Sequence, residues 1–142
     1  MRNQAGKERL AKIPLFQNLS AKQLEVVDAL VTEIDVAPGR ELIRQGEAGR
    51  EFVVVVEGEA EVRRDGELIA VRGPGSFFGE TALLLKRPRN ASVVARTDMK
   101  IEVIARQDFA RLLDEYPDLY APLLQATAQR LAELDEPTGL GT

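Results

Sequence analysis

Ala60-Glu61-Val62-Arg63-Arg64-Asp65-Gly66-Glu67-Leu68-Ile69-Ala70-Val71 is the stretch that fixes the fold class. Asp65-Gly66 is a strong signal for a two-residue hairpin turn, because both central positions of such a turn need a left-handed backbone. A two-residue loop there pairs Arg64 with Glu67. The same register pairs Val62 with Ile69 and Ala60 with Val71 and puts all four apolar side chains on one face. Turn chemistry and apolar pattern then agree on a β-hairpin.

Moving outward, residues 34–104 keep this character. Short β-rich runs are cut by Pro38-Gly39, Gly46, Gly49, Gly58 and Gly73-Pro74-Gly75. The run Phe52 to Val56 is continuous β-former and predicts a strand buried on both faces. Further strands are expected at 92–96 and 99–104. Many short strands at turn-punctuated intervals indicate a jelly-roll-like β-roll, a double-stranded β-helix.

Helical spacing brackets the strands. Residues 5–12 form a weak helix candidate before Pro14, and Pro14 to Leu19 reads as a turn with apolar anchors. Ser20 opens a clearer helix, since Gln23 three residues on completes a capping box. Leu24, Val27, Leu30 and Val31 fall on one face at helical spacing. After residue 106, Phe109, Leu112, Leu113 and Tyr116 form one stripe, ended by Pro117. Leu119, Leu123, Leu131 and Leu134 line a second stripe, in which Pro122 marks either a kink or a start. The expected organisation is a mainly β domain over 1–135, with N-terminal helices and two C-terminal helices, and a flexible tail over 136–142.

Composition narrows the function. The 142 residues suit one domain, and 44% hydrophobic with 30% charged residues is ordinary for a soluble globular protein. There is no Cys and no His, which removes disulfides, the commonest transition-metal ligands and the commonest general base. No dense Asp/Glu loop of the calcium type is present. A jelly-roll metalloenzyme of the cupin type would need several His ligands, so neither a metal nor a catalytic residue is expected. The net charge of −4 argues against general nucleic-acid binding. No apolar run approaches the ~20 residues of a membrane span. Met1 to Leu10 is polar and mixed in charge, unlike a secretory signal, so a cytoplasmic location is expected.

One segment interrupts the strands: Gly75-Ser76-Phe77-Phe78-Gly79-Glu80-Thr81-Ala82-Leu83-Leu84-Leu85-Lys86-Arg87-Pro88-Arg89-Asn90-Ala91-Ser92-Val93. Glu80 to Leu85 can form a short helix just after Gly79. Such a start offers unpaired N–H groups and the positive end of the dipole to an anion, and Gly lets a ligand come close to the backbone. Arg89 can make a two-pronged charge-assisted bond to a phosphate. Glu80 offers an acceptor pair for a ribose hydroxyl. On chemistry alone, Lys86-Arg87-Pro88-Arg89 equally describes a solvated basic turn, and Glu80 equally serves the helix dipole.

The segment resembles the phosphate-binding cassette of the cyclic-nucleotide-binding domain family. That pattern reads Phe-Gly-Glu, a variable residue, Ala and Leu, then after a spacer Pro-Arg, a small residue, Ala, Thr or Ser, and Val. Phe78-Gly79-Glu80, Ala82-Leu83, Pro88-Arg89, Ala91, Ser92 and Val93 stand at that spacing without a gap. More loosely, the resemblance covers residues 8–134. Pro14-Leu15-Phe16 with Leu19 is similar to the family's N-terminal helical motif. Gln45-Gly46-Glu47 is similar to the turn before its third strand, and Gly58 before Ala60 and Val62 to the next turn.

The resemblance implies a ligand, cyclic AMP or cyclic GMP, and no cofactor. It implies that Glu80 binds the ribose 2'-hydroxyl and Arg89 the cyclic phosphate, with Gly79, Ala82 and Ala91 presenting backbone. Thr81, Asn90 and Ser92 complete the expected ligand-binding set. Thr81 departs from the aliphatic residue frequent at its position. Asn90 stands where members favouring cyclic GMP often carry Thr, so cyclic AMP is favoured.

The resemblance further implies a C-terminal helix that closes over the base, with Leu123, Leu124 or Leu131 as the apolar lid; Leu at helical spacing equally serves a core. The expected role is a non-enzymatic regulatory sensor. The alternative is a β-roll scaffold that binds a protein without a nucleotide. A regulator of the cyclic-AMP-receptor type would need a DNA-reading helix pair after residue 134. The sequence stops at Thr142, so direct DNA reading is not expected of this chain. Its output then lies in a longer regulator, channel or enzyme, in an effector partner, or in a homodimer through the closing helix.

Overall fold

A computed structural model describes residues 4–79 and 87–135. The chain opens with helix α1 (Gln4–Ala11), a 3-10 turn (Pro14–Phe16) and helix α2 (Ala21–Leu30). Ser20 caps α2 as expected. Its Oγ accepts from Gln23 N–H at 3.1 Å, and its own N–H donates to Gln23 Oε1 at 2.9 Å. Val31 departs from expectation. The helix stops at Leu30, and Val31 is extended at φ −89 and ψ 150. It starts a strand paired with Ile104, because two β-branched residues, Val31-Thr32, lose less freedom in a ladder than in a helix.

Eight strands follow among the described residues: β1 (Val31–Val36), β2 (Glu41–Ile43), β3 (Glu51–Glu57), β4 (Ala60–Arg64), β5 (Glu67–Arg72), β6 (Phe77–Phe78), β7 (Ser92–Ala95) and β8 (Met99–Ala105). They form two four-stranded sheets, ordered β1-β8-β3-β6 and β2-β7-β4-β5, with all recorded pairings antiparallel. The neighbours in each sheet are mostly distant in sequence, which is the roll topology the turn-punctuated strands predict.

The hairpin forms where expected. Asp65 at φ 54 and Gly66 at φ 84 make the left-handed turn, and Arg64 pairs with Glu67. The predicted register beyond it does not hold. A bulge between Val62 and Arg63 shifts the ladder, so that Val62 pairs with Ala70 and Ala60 with Arg72 rather than with Ile69 and Val71. Ile69 is the extra residue on the bulged strand. One inserted residue moves every later side chain to the other face. The cost is tolerated because residues 69–72 are half-buried, not core.

Within the β1-β8-β3-β6 sheet, the centre of β3 is buried on both faces. Phe52 and Val54 point to a helical cluster, whereas Val53 and Val55 point into the roll; all four are at most 3% exposed. The helical side gathers Leu10, Phe16, Leu24, Val27 and Ile104. Helix α3 (Arg106–Glu115) adds Phe109, Leu112 and Leu113, and Phe109 stacks on Phe52 at 4.3 Å. A 3-10 turn (Pro117–Leu119) leads into α4 (Tyr120–Asp135). Pro122 lies in the first turn of α4, so the helix starts there without a kink, where no backbone bond is lost. Leu119 and Leu123 join the same cluster, while the side chains of Leu131 and Leu134, and the tail 136–142, lie outside the described residues.

Candidate functional site

Arg89 stands just before β7, at a point where the chain cannot rely on a ladder. Its backbone is pinned on both sides by the turn between β2 and β3. Arg89 N–H donates to Glu47 O at 2.8 Å, and Arg89 O accepts from Gly46 N–H at 2.7 Å. The side chain is 8% exposed, and Nη2 donates to the Glu51 carbonyl at 2.8 Å. A planar guanidinium held this way presents its donors in a fixed direction, which suits two oxygens of one phosphate.

Gly79 closes on the same group. It is left-handed at φ +102, and a Cβ there would stand 2.5 Å from Arg89 Nη1 and 2.6 Å from Glu51 O. Only Gly fits, for both backbone and space. Two predicted site residues separated by ten positions are thus brought together around the Glu51 carbonyl. Glu80, Thr81 and Ala82, and the expected short helix 80–85, lie outside the described residues.

Beyond Arg89, Ala91 is buried, and Ser92 Oγ accepts from Gln45 N–H at 2.9 Å, so this oxygen is used within the fold. Asn90 Nδ2 is enclosed with no hydrogen-bond partner among the described residues.

Arg89 also contributes to the wall of a cavity of about 290 Å3 shared with Leu42, Ile43, Arg44, Glu47 and Glu51. Arg44 is held by Glu41 at 2.7 Å, and this bond raises its pKa above the usual arginine value. Among the described residues no cluster of three or more metal-ligating side chains occurs, and no helix is long and apolar enough to cross a membrane.

The three leucines expected at the lid separate. Leu123 is fully buried in the helical cluster and has no surface to lay over a ligand in this arrangement. Leu124 is 53% exposed. The Leu131 side chain lies outside the described residues.

Sequence reading missed the contribution of Glu51, which acts through its carbonyl and carries no side-chain signature. It also gave Gln45-Gly46-Glu47 no role beyond a turn.

Comparison with known proteins bears on the family and the fold. Residues 33–116 match the model of the family described as cyclic nucleotide-binding domain. A cAMP-dependent protein kinase regulatory subunit of Yarrowia lipolytica is 40% identical over 107 residues, which is 73% of this chain and 28% of that protein. The chain therefore spans under a third of the length of this relative. A solved structure described as "cAMP bound PfPKA-R" superposes with a TM-score of 0.79 at 26% identity, covering 96% of this chain and 47% of the other. The regulatory subunit of a cAMP-independent protein kinase A from Trypanosoma brucei superposes with a TM-score of 0.75 at 25% identity, over 86% of this chain and 44% of that one. With the family model covering more than half of the sequence, this chain belongs to the cyclic nucleotide-binding domain family.

Proposed function

We propose that this domain is a non-catalytic sensor that binds cyclic AMP in preference to cyclic GMP. The observation that carries the reading is the buried Arg89 guanidinium, aligned by the Glu51 carbonyl and packed against Gly79. In this reading Arg89 pairs with the cyclic phosphate and Glu80 accepts from the ribose 2'-hydroxyl. Backbone groups of Gly79, Ala82 and Ala91 meet the sugar and phosphate, with Thr81, Asn90 and Ser92 around them. The preference for cyclic AMP rests on Asn90 standing where Thr would serve a guanine.

Residues 1–135 act as one unit with 136–142 as a tail, in the cytoplasm. Output requires an arrangement that the ligand prefers, since equal affinity for two arrangements shifts neither. Helix α4 is the element we assign to that change, with Leu124 as an exposed apolar residue on it. The relative named a protein kinase regulatory subunit supports a protein effector as the partner, with a homodimer through α4 as the other route.

Melting curves with cyclic AMP, cyclic GMP and linear AMP test the ligand. At a hundred times its dissociation constant a ligand adds about 2.7 kcal/mol of stability. Cyclic AMP is expected to raise the melting temperature most and linear AMP least. No shift with either cyclic nucleotide overturns the reading.

The second reading is a β-roll that serves a protein partner or another ligand. The structural neighbour from Trypanosoma brucei, named for a cAMP-independent kinase, favours it. The same melting comparison separates the two.

A further inference from the structure

Gln45 makes more connections between segments than its place in a surface turn requires. Its side-chain amide grips the hairpin tip: Nε2 donates to Asp65 Oδ1 at 3.0 Å, and Oε1 accepts from Asp65 N–H at 2.9 Å. Its backbone N–H donates to Ser92 Oγ at 2.9 Å, 47 residues away. The next two residues pin the backbone of Arg89, through Gly46 N–H and Glu47 O. A three-residue turn therefore ties the β4–β5 hairpin to the Arg89–Ser92 segment.

This turn lies where the ladders leave a gap. Strand β2 ends at Ile43 and β3 begins at Glu51. The ion pairs of Arg44 with Glu41 and Glu47 stay local, so they do not fix the turn against another segment. The Gln45–Asp65 pair does, and it is anchored on a left-handed residue of a tight turn, Asp65 at φ 54. Such a residue has little backbone freedom to follow a moving partner.

We infer that Gln45 is a positioning residue for phosphate recognition: its two-bonded clamp on Asp65 sets the 45–47 turn, and the turn sets Arg89. The inference rests on the reading that Arg89 binds the phosphate. Gln45 itself need not touch the ligand. Releasing the clamp leaves the Arg89 charge in place but loosens its direction, on which a forked bond to phosphate depends.

The test is calorimetric titration of the full chain with cyclic AMP. Gln45→Ala is expected to weaken binding about tenfold. Gln45→Glu is expected to weaken it at least as much, because it sets a carboxylate against the Asp65 carboxylate. Adding Asp65→Asn to Gln45→Glu returns a donor to face an acceptor, and asparagine tolerates the left-handed turn. This double variant is expected to recover affinity to within about threefold of wild type.

In an Arg89→Lys background, which removes the fork but keeps the charge, Gln45→Ala is expected to change affinity less than twofold. A purely structural role would instead lower affinity equally in both backgrounds. Wild-type binding with unchanged affinity in Gln45→Ala overturns this inference alone. So does a double variant no better than Gln45→Glu, even if Gln45→Ala fails to fold. Absence of binding by the wild type overturns the underlying reading and this inference with it.

Discussion

The two faces of β3 are equally dry but built differently. Toward the helices, Phe52 sits between Phe77 and Phe109, at ring distances of 5.5 and 4.3 Å, in a cluster rich in Leu and Phe. Toward the roll, Val53 and Val55 meet Ala60, Val93 and Ala95. Bulky rings on one side fix the sheet against the helices. On the other side β-branched and small residues predominate, with Phe78 and Met99 as the larger members, and line the roll. The two faces of one strand are thus packed against different parts of the fold, and a substitution on one face need not disturb the other.

The largest expected effect tests that division. Phe52→Ala removes a fully buried ring and is expected to lower unfolding stability by about 3–5 kcal/mol in urea titrations. Val53→Ala removes two methyl groups and is expected to cost about 2 kcal/mol. Equal losses at the two positions would break the contrast. Next comes Gly79→Ala, whose methyl group would collide with the Arg89 guanidinium and the Glu51 carbonyl. It is expected to weaken cyclic AMP binding at least about tenfold, close to 1.4 kcal/mol, in a nucleotide titration. Unchanged affinity would mean that the close approach at Gly79 does not shape the phosphate site.

Smaller effects sharpen the comparison. Ser20→Ala loses a cap remote from Arg89 and is expected to cost about 1 kcal/mol of stability with nucleotide affinity unchanged. The smallest effect belongs to Lys100. Its bond to Glu33 at 3.0 Å, and the nearby Asp35, raise its pKa above the ordinary 10.5. A raised folded pKa stabilises fully below 10.5 and loses that contribution as pH rises through the higher folded value. The wild type is therefore expected to lose slightly more melting temperature than Lys100→Met above that pH. Parallel curves for the two proteins would remove the ion pair from consideration.

Local features were the legible ones. The Ser20 cap and the Asp65-Gly66 turn each depend on residues at most three apart, and both stand as read. Val31 was misassigned because an apolar β-branched residue fits a helical stripe as well as a strand start. The bulge at Ile69 was not legible because Ile69, Ala70 and Val71 all tolerate half-burial, so alternation could not choose the register.

In the candidate site, the cassette pattern singles out Gly79 and Arg89, which the fold brings together. Their meeting point was not legible, since Glu51 contributes a carbonyl that any residue could supply. The Gln45 clamp was equally hidden, because its partners stand 20 and 47 positions away and no local pattern links them.

The most direct measurement is a calorimetric titration of wild type and Arg89→Ala with cyclic AMP, with melting curves of both free proteins alongside. Truncating one partner of a buried charged pair costs about 2 kcal/mol or more, so affinity is expected to fall at least about thirtyfold while both proteins remain folded. Equal affinity in the two folded proteins would contradict the assignment of the phosphate to this guanidinium.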